Sequence, residues 1–122
     1  VAAAVPGVPV YDGRVTTPAD RYVVLYGDPG WRSSGDVAHT SNLVTFRFQL
    51  TYVTGGAQVS RKGCAWLADR CRGALVDVAP VVSGFLFGLV ELESTQPIRP
   101  DFDAPTDVMF GVDSFVVLGA VA

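Results

Sequence analysis

Val44-Thr-Phe-Arg-Phe-Gln-Leu-Thr-Tyr52 decides how the chain is read. Val44, Phe46, Phe48, Leu50 and Tyr52 point one way, and Thr45, Arg47, Gln49 and Thr51 point the other. Strict alternation with one wet face is the pattern of an antiparallel strand covered on one side only. Thr54-Gly55-Gly56 breaks the strand, and the period then changes. Ser60, Cys64, Leu67, Ala68, Cys71, Leu75 and Val78 recur at spacings of three and four, which predicts a helix over 57–78 with one apolar stripe. The small residues in that stripe let it lie close to a sheet. Trp66 falls off the stripe, beside Arg61 and Arg70, and points to a second surface. Pro80 ends the helix.

Downstream, Phe85 to Glu93 predicts a further strand, with Leu86, Val90 and Leu92 on one face and Phe85, Phe87, Leu89 and Glu91 on the other. Both faces are apolar over its first half, so something must cover the second. Residues 96–105 carry three prolines and predict an extended loop. Val108, Phe110, Val112, Val116 and Leu118 alternate along a final strand, with a bend at Asp113-Ser114.

Upstream, Tyr22-Val-Val-Leu-Tyr26 predicts a strand stopped by Gly27-Asp-Pro-Gly30, and Val8 to Tyr11 a short one confined by Pro9 to an edge. Residues 31–41 predict a long polar hairpin loop. The chain lacks Met at position 1, so it is expected to start inside a longer product, with Ala3 to Val5 the last turn of a truncated helix. The expected fold class is α+β. It consists of an antiparallel or mixed sheet of four to five strands, with the helix over 57–78 and an N-terminal helix packed on it, all in one domain spanning 1–122.

Hydrophobic residues make up 49% of the 122 residues and charged ones 17%, which excludes intrinsic disorder. The most apolar uncharged stretch is about 13 residues, short of the roughly 18 to 20 that a membrane helix needs. What remains is a small globular domain with more apolar surface than one core uses, which points to assembly. The net charge is −3, and the basic residues are scattered except for Arg61, Lys62, Arg70 and Arg72. These read as a solvated helix face, not as a nucleic-acid stripe. Cys64 and Cys71 on one helix stand about 10.5 Å apart, at 1.5 Å rise per residue. That is beyond the roughly 7 Å a disulfide spans, so two free, buried thiols are expected, suited to a reducing cytoplasm.

Catalytic constellations are weak. Asp36, His39 and Ser41 share one loop, whereas a nucleophile, base and orienting group are held by rigid elements from distant segments, and no G-x-S-x-G elbow exists. Glu91 and Glu93 lie at i and i+2, the placement of a strand's exposed end as much as of an acid–base pair. Asp101, Asp103 and Asp107 lack the glycine-centred spacing of an EF-hand. His39 is the single His, so no four-ligand zinc site is available, and no phosphate-binding loop follows a strand. No cofactor is expected. Trp31 and Trp66, each next to or near Arg, have the composition of interface anchors.

Taken in order, Val8-Pro-Val-Tyr-Asp-Gly13, Pro18 before Tyr22-Val-Val-Leu-Tyr-Gly-Asp28, the polar insertion, Val44-Thr-Phe-Arg-Phe-Gln-Leu50, the helix and Pro97-Ile-Arg-Pro-Asp101 resemble the tail-terminator (tail-completion, minor tail) proteins of long-tailed bacteriophages. The likeness covers most of the chain and lies in the order and length of elements. It implies a virion protein, made in the host cytoplasm, that forms a hexameric ring at the head-proximal end of the tail tube. Such a ring stops tube polymerisation, joins the tail to neck or head-completion proteins, and lets DNA pass without specific binding. No catalysis is implied. The contact residues expected on this reading are Trp31, Arg32, Asp36, His39, Trp66, Arg70, Phe85, Phe87, Arg99 and Asp101. A neighbouring neck protein, or a small oligomeric cytoplasmic enzyme or ligand-binding domain, are the alternatives.

Overall fold

The computed structural model describes residues 5–15, 19–27, 43–103 and 107–121, and the backbone alone at 31–32. Its centre is the strand whose alternation is clearest in the sequence. Strand β4 (Leu43–Gly55) runs antiparallel to β7 (Val108–Val121) along its whole length, from Leu43 opposite Ala120 to Gly55 opposite Val108. On the other edge of β4, β2 (Arg21–Gly27) pairs antiparallel, and β1 (Val10–Asp12) adds parallel to β2 as an edge strand. The two-residue β3 (Trp31–Arg32) pairs with Val44 and Thr45, beyond the reach of β2. The outer edge of β7 is shared by β5 (Phe85–Phe87) and β6 (Glu91–Pro100).

Among the described residues the result is one mixed seven-stranded sheet carrying one α-helix, mostly strand. This corrects the expected sheet of four to five strands under two helices. Helix α1 spans Arg61–Leu75, not 57–78. Ser60 is extended and its hydroxyl accepts the Gly63 N–H at 3.0 Å, so it caps the helix instead of extending its stripe. Residues 56–58 form a separate 3-10 turn. At the other end Val76 leaves the helix to bridge Val90, and Asp77 takes a left-handed φ of 62° while its N–H donates to the Val90 carbonyl. The helix therefore stops before Pro80 is reached. Residues 1–4 lie outside the described residues. Val5 to Val8 make a turn closed by the Val8 N–H on the Val5 carbonyl at 3.0 Å, with Gly7 at φ +78°, and the helical turn expected at Ala3 to Val5 falls outside the described residues except for Val5.

Three more expectations change. The single strand from Phe85 to Glu93 is two. Phe87 opposes Gly119 and Glu91 opposes Val116, so residues 88–90 face only 117 and 118. The extra residue resets the alternation, burying Val90 while Leu86 stays exposed. The proline-rich segment is not loop throughout, because β6 continues to Pro100 with register shifts between Leu92 and Ser94 and between Gln96 and Arg99. An edge strand tolerates Pro97 and Pro100 because it need not donate every N–H. Finally, β7 runs unbroken through Asp113 and Ser114 with the opposite face inward. The buried set is Gly111, Asp113, Phe115, Val117 and Gly119.

The core lies between that face and α1. Cys64, Leu67, Ala68 and Cys71 of the helix meet Val23, Leu50, Tyr52 and Phe115 of the sheet, with Val5, Val8 and Val90 closing the margins. Each large side chain fully buried there contributes about 1.5–3 kcal/mol. The strands outrun the helix. At their far end Phe46 packs edge-on against Phe85 and Phe87, and Phe48 stacks on Phe115 at 5.2 Å between centroids. A Cβ on Gly119 would stand 2.8 Å from the Phe87 ring, so this cluster requires glycine there.

Candidate functional site

Two features could carry chemistry or recognition: a buried charge under the helix and three exposed surfaces around it. The buried charge is Asp113, whose place on the inner face of β7 follows from its register opposite Leu50. Tyr52, two residues further along β4, donates its hydroxyl to Oδ2 at 2.8 Å. Arg72, near the end of α1, donates Nε to Oδ2 and Nη2 to Oδ1, both at 2.7 Å, and Nη2 also reaches Thr95 Oγ1 at 3.0 Å. Burial by itself would raise the Asp113 pKa. The hydrogen bonds from Arg72, Thr95 and Tyr52 outweigh it and hold the carboxyl below its ordinary value. The Asp113 hydrogen bond in turn raises the Arg72 pKa, and burial together with that carboxylate pushes the Tyr52 phenol far up.

All three groups are thus fixed in one protonation state across the physiological range. A groove of ≈ 470 Å³ lies alongside, lined by Asp69, Gln96 and Ile98 among others. Both Asp113 oxygens are already engaged inside the protein, so the set works as a clamp between helix and sheet. Sequence reasoning had taken Asp113 for a bend and Arg72 for a solvated cation. The available signal was Asp at an odd position between Gly111 and Phe115, in line with a Tyr on the covered face of β4.

The thiols are buried and unpaired with each other. Cys64 Sγ donates to the Met109 carbonyl at 3.3 Å and lies 3.3 Å from Thr54 Oγ1, and burial raises its pKa. Burial pushes Cys71 up to about 11. Neither has the character of a nucleophile. Glu91 and Glu93 separate in role, since Glu93 pairs with Arg47 at 3.1 Å on an exposed face. Among the described residues no group of three His, Cys, Asp or Glu is placed to hold a metal, and no helix is long and apolar enough to cross a membrane.

No protein-family model matches the chain, and no curated protein is significantly similar to it.

The expected contact residues divide. Trp31 and Arg32 lie on β3 by backbone, while their side chains and all of Asp36 and His39 fall outside the described residues. Phe85 and Phe87 are half-buried in the aromatic cluster with Phe46, and Leu86 between them is the exposed residue. Trp66 and Arg70 do come together: the Arg70 guanidinium lies 5.3 Å from the indole centroid, and Arg21 of β2 lies over the same ring at 5.6 Å. Arg99 stacks over Phe110 at 5.2 Å on the opposite side of the sheet. Asp101 accepts the Asp103 N–H at 3.1 Å, closing a tight turn.

The third surface was not singled out. On the face of the sheet away from α1, Leu43 opposes Ala120, which opposes Leu86, and Leu118 sits two residues along β7 on the same side. These leucines are 51%, 69% and 54% exposed respectively. The sequence pattern groups Leu118 with Val108, Phe110, Val112 and Val116, and alternation alone does not say which face the helix covers.

Proposed function

We propose that the chain is a structural subunit of a closed viral ring, the terminator of a long-tailed phage tail tube. The observation that carries the assembly reading is the row Leu43, Leu86 and Leu118 across three adjacent strands, with Leu89 exposed beside Leu118. Single exposed leucines are ordinary. A contiguous set on a sheet face that no helix covers among the described residues is a surface that association buries. The saturated state of Asp113, Tyr52 and Arg72 agrees with a part that holds shape and does no turnover. The resemblance to tail terminators supplies the specific role: a hexamer at the head-proximal end of the tube that ends polymerisation, meets tube protein on one side and a neck protein on the other, and surrounds the DNA passage. A net charge of −3 suits a lumen through which DNA slides, because it does not hold phosphates.

The test is size-exclusion chromatography with light scattering on the full chain, followed by negative-stain microscopy. A discrete oligomer with a central hole, binding the end of tail tubes, is the expected result. A monomer at high concentration with no rings overturns the reading.

A further inference from the structure

A closed ring needs two different, complementary surfaces on every subunit, one for each neighbour. Two features of this chain match in both shape and charge. The first is a platform on the helix side of the sheet. Trp66 on α1 is 39% exposed, and the guanidinium groups of Arg70, one turn on, and Arg21, on β2, both lie over its ring. Neither arginine is paired with a carboxylate among the described residues. A guanidinium stacked on an indole keeps the N–H donors at its edge free for a carboxylate, in a fixed orientation. The platform is therefore a flat apolar centre flanked by two pre-oriented cations.

The second feature is the turn after β6. Phe102 is 91% exposed, with Asp101 and Asp103 on either side. The Asp103 N–H bonded to Asp101 Oδ1 holds the turn in place, leaving Asp101 Oδ2 and the exposed Asp103 carboxylate available. This is an aromatic anchor between two anions, the converse of the platform.

The two features do not face each other within one subunit. Arg21 lies on the inner side with Val23, and α1 covers that side, whereas Tyr22 looks outward. Arg99, two residues before Asp101 on β6, lies over Phe110 on the outer face, which places the turn toward the outer side.

We propose that the Asp101-Phe102-Asp103 turn of one subunit docks on the Arg21–Trp66–Arg70 platform of the next copy of this chain. Phe102 packs against the exposed edge of the Trp66 ring, which the guanidiniums over it leave open, and the two carboxylates pair with those guanidiniums. The contact is heterologous, so each subunit gives its turn to one neighbour and its platform to the other. This rests on the ring reading above and names the surfaces that close it.

Charge reversal tests it on the full-length chain. Arg21→Glu with Arg70→Glu makes the platform acidic, and Asp101→Lys with Asp103→Lys makes the turn basic. All four positions are at the surface or half-buried, so each variant is expected to keep the wild-type circular dichroism spectrum and melting temperature. Each alone is expected to lose the ring peak, because like charges then meet at every contact. An equimolar mixture of the two restores it, since an alternating ring with an even number of subunits has opposite charges at each junction. A single chain carrying all four substitutions restores it as well. If either reversed variant assembles as wild type does, or if both fail and the mixture stays dissociated, this docking is wrong while the ring reading stands. If the wild-type chain is itself monomeric, both fall.

Discussion

The inner and outer faces of one sheet each carry an arginine–carboxylate pair, and the two pairs differ in almost everything but composition. Beneath α1, Arg72 grips a nearly inaccessible Asp113 through two bonds of 2.7 Å, with Tyr52 as a third donor. On the outer face, Arg47 meets Glu93 at 3.1 Å with both side chains substantially in water. In the first case solvent cannot replace a lost partner, and in the second it can. The lesson is that cover, not residue type, decides what a charge is worth here. The same rule separates Leu50, sealed in the core, from Leu118 on the outside.

The sharpest way to break the comparison is Asp113→Ala. It leaves the buried Tyr52 hydroxyl without its acceptor and the partly exposed Arg72 guanidinium without its carboxylate, and the expected loss is about 3 kcal/mol in urea-unfolding free energy. For a domain whose whole stability is on the order of 5–15 kcal/mol, that is a large fraction. The pH dependence sharpens the point. Asp113 has a folded pKa below its unfolded value of about 3.9. Its contribution is therefore fully present above that value and is lost as pH falls through the folded pKa. Between pH 5 and pH 2 the wild-type denaturation midpoint is expected to fall further than that of Asp113→Asn. Parallel curves would refute the assignment of Asp113 as the acid-sensitive clamp.

Tyr52→Phe should cost less, about 1–2 kcal/mol, because Asp113 keeps Arg72 when the phenol hydroxyl is gone. Equal losses for Tyr52→Phe and Asp113→Ala would mean that the set does not act as a graded network.

How much of this was legible in the sequence follows from where the side chains that fill space come from. In β4 the alternation could be read directly, because Leu50 and Tyr52 fill the inner face themselves and Arg47 and Gln49 mark the outer one. The centre of α1 was legible for the same reason, through Cys64, Leu67 and Cys71. Strand β7 misled because its inner face is filled by others. At Gly119 the ring of Phe87 occupies the place of a side chain, and at Gly111 a Cβ would stand 3.0 Å from Ile98. Hydrophobic periodicity registers what a strand carries, not what its neighbours insert. With two glycines and an aspartate beside Phe115 and Val117 inside, the outer set of Phe110, Val112, Val116 and Leu118 carries the longer apolar alternation. The helix ends were misjudged through Ser60 and Val76, both drawn off by contacts remote from the stripe. The Arg70–Trp66 pairing was visible as an i, i+4 spacing, whereas the arrival of Arg21 depended on β2 lying beside the helix.

The thiols extend the comparison to reactivity. Cys64 and Cys71 are sealed and raised in pKa, so a disulfide-exchange reagent at pH 8 should modify neither in the folded chain and both in urea. Modification of native protein at the rate of a free thiol would show that the inner face opens. On the outer face, Arg47→Ala is expected to shift stability by no more than about 1 kcal/mol, with the difference vanishing in high salt. A loss comparable to that of Asp113→Ala would erase the distinction between the two pairs.

The smallest effect on stability, and the most informative about function, belongs to the outer leucines. Replacing Leu86 and Leu118 together with serine removes apolar groups that are already more than half in water, so the unfolding free energy should stay within roughly 0.5 kcal/mol per site. If the outer face exists to be covered by assembly, the same double change weakens association much more than folding, because burial at about 25 cal/mol per Å² then applies only in the assembled state. Light scattering against protein concentration separates the two: an unchanged unfolding curve with the oligomer shifted toward monomer is the expected outcome. An oligomer that persists unchanged would mean that this sheet face stays in water throughout, and the assembly contacts would have to be sought at the arginine–tryptophan platform and the acidic turn alone.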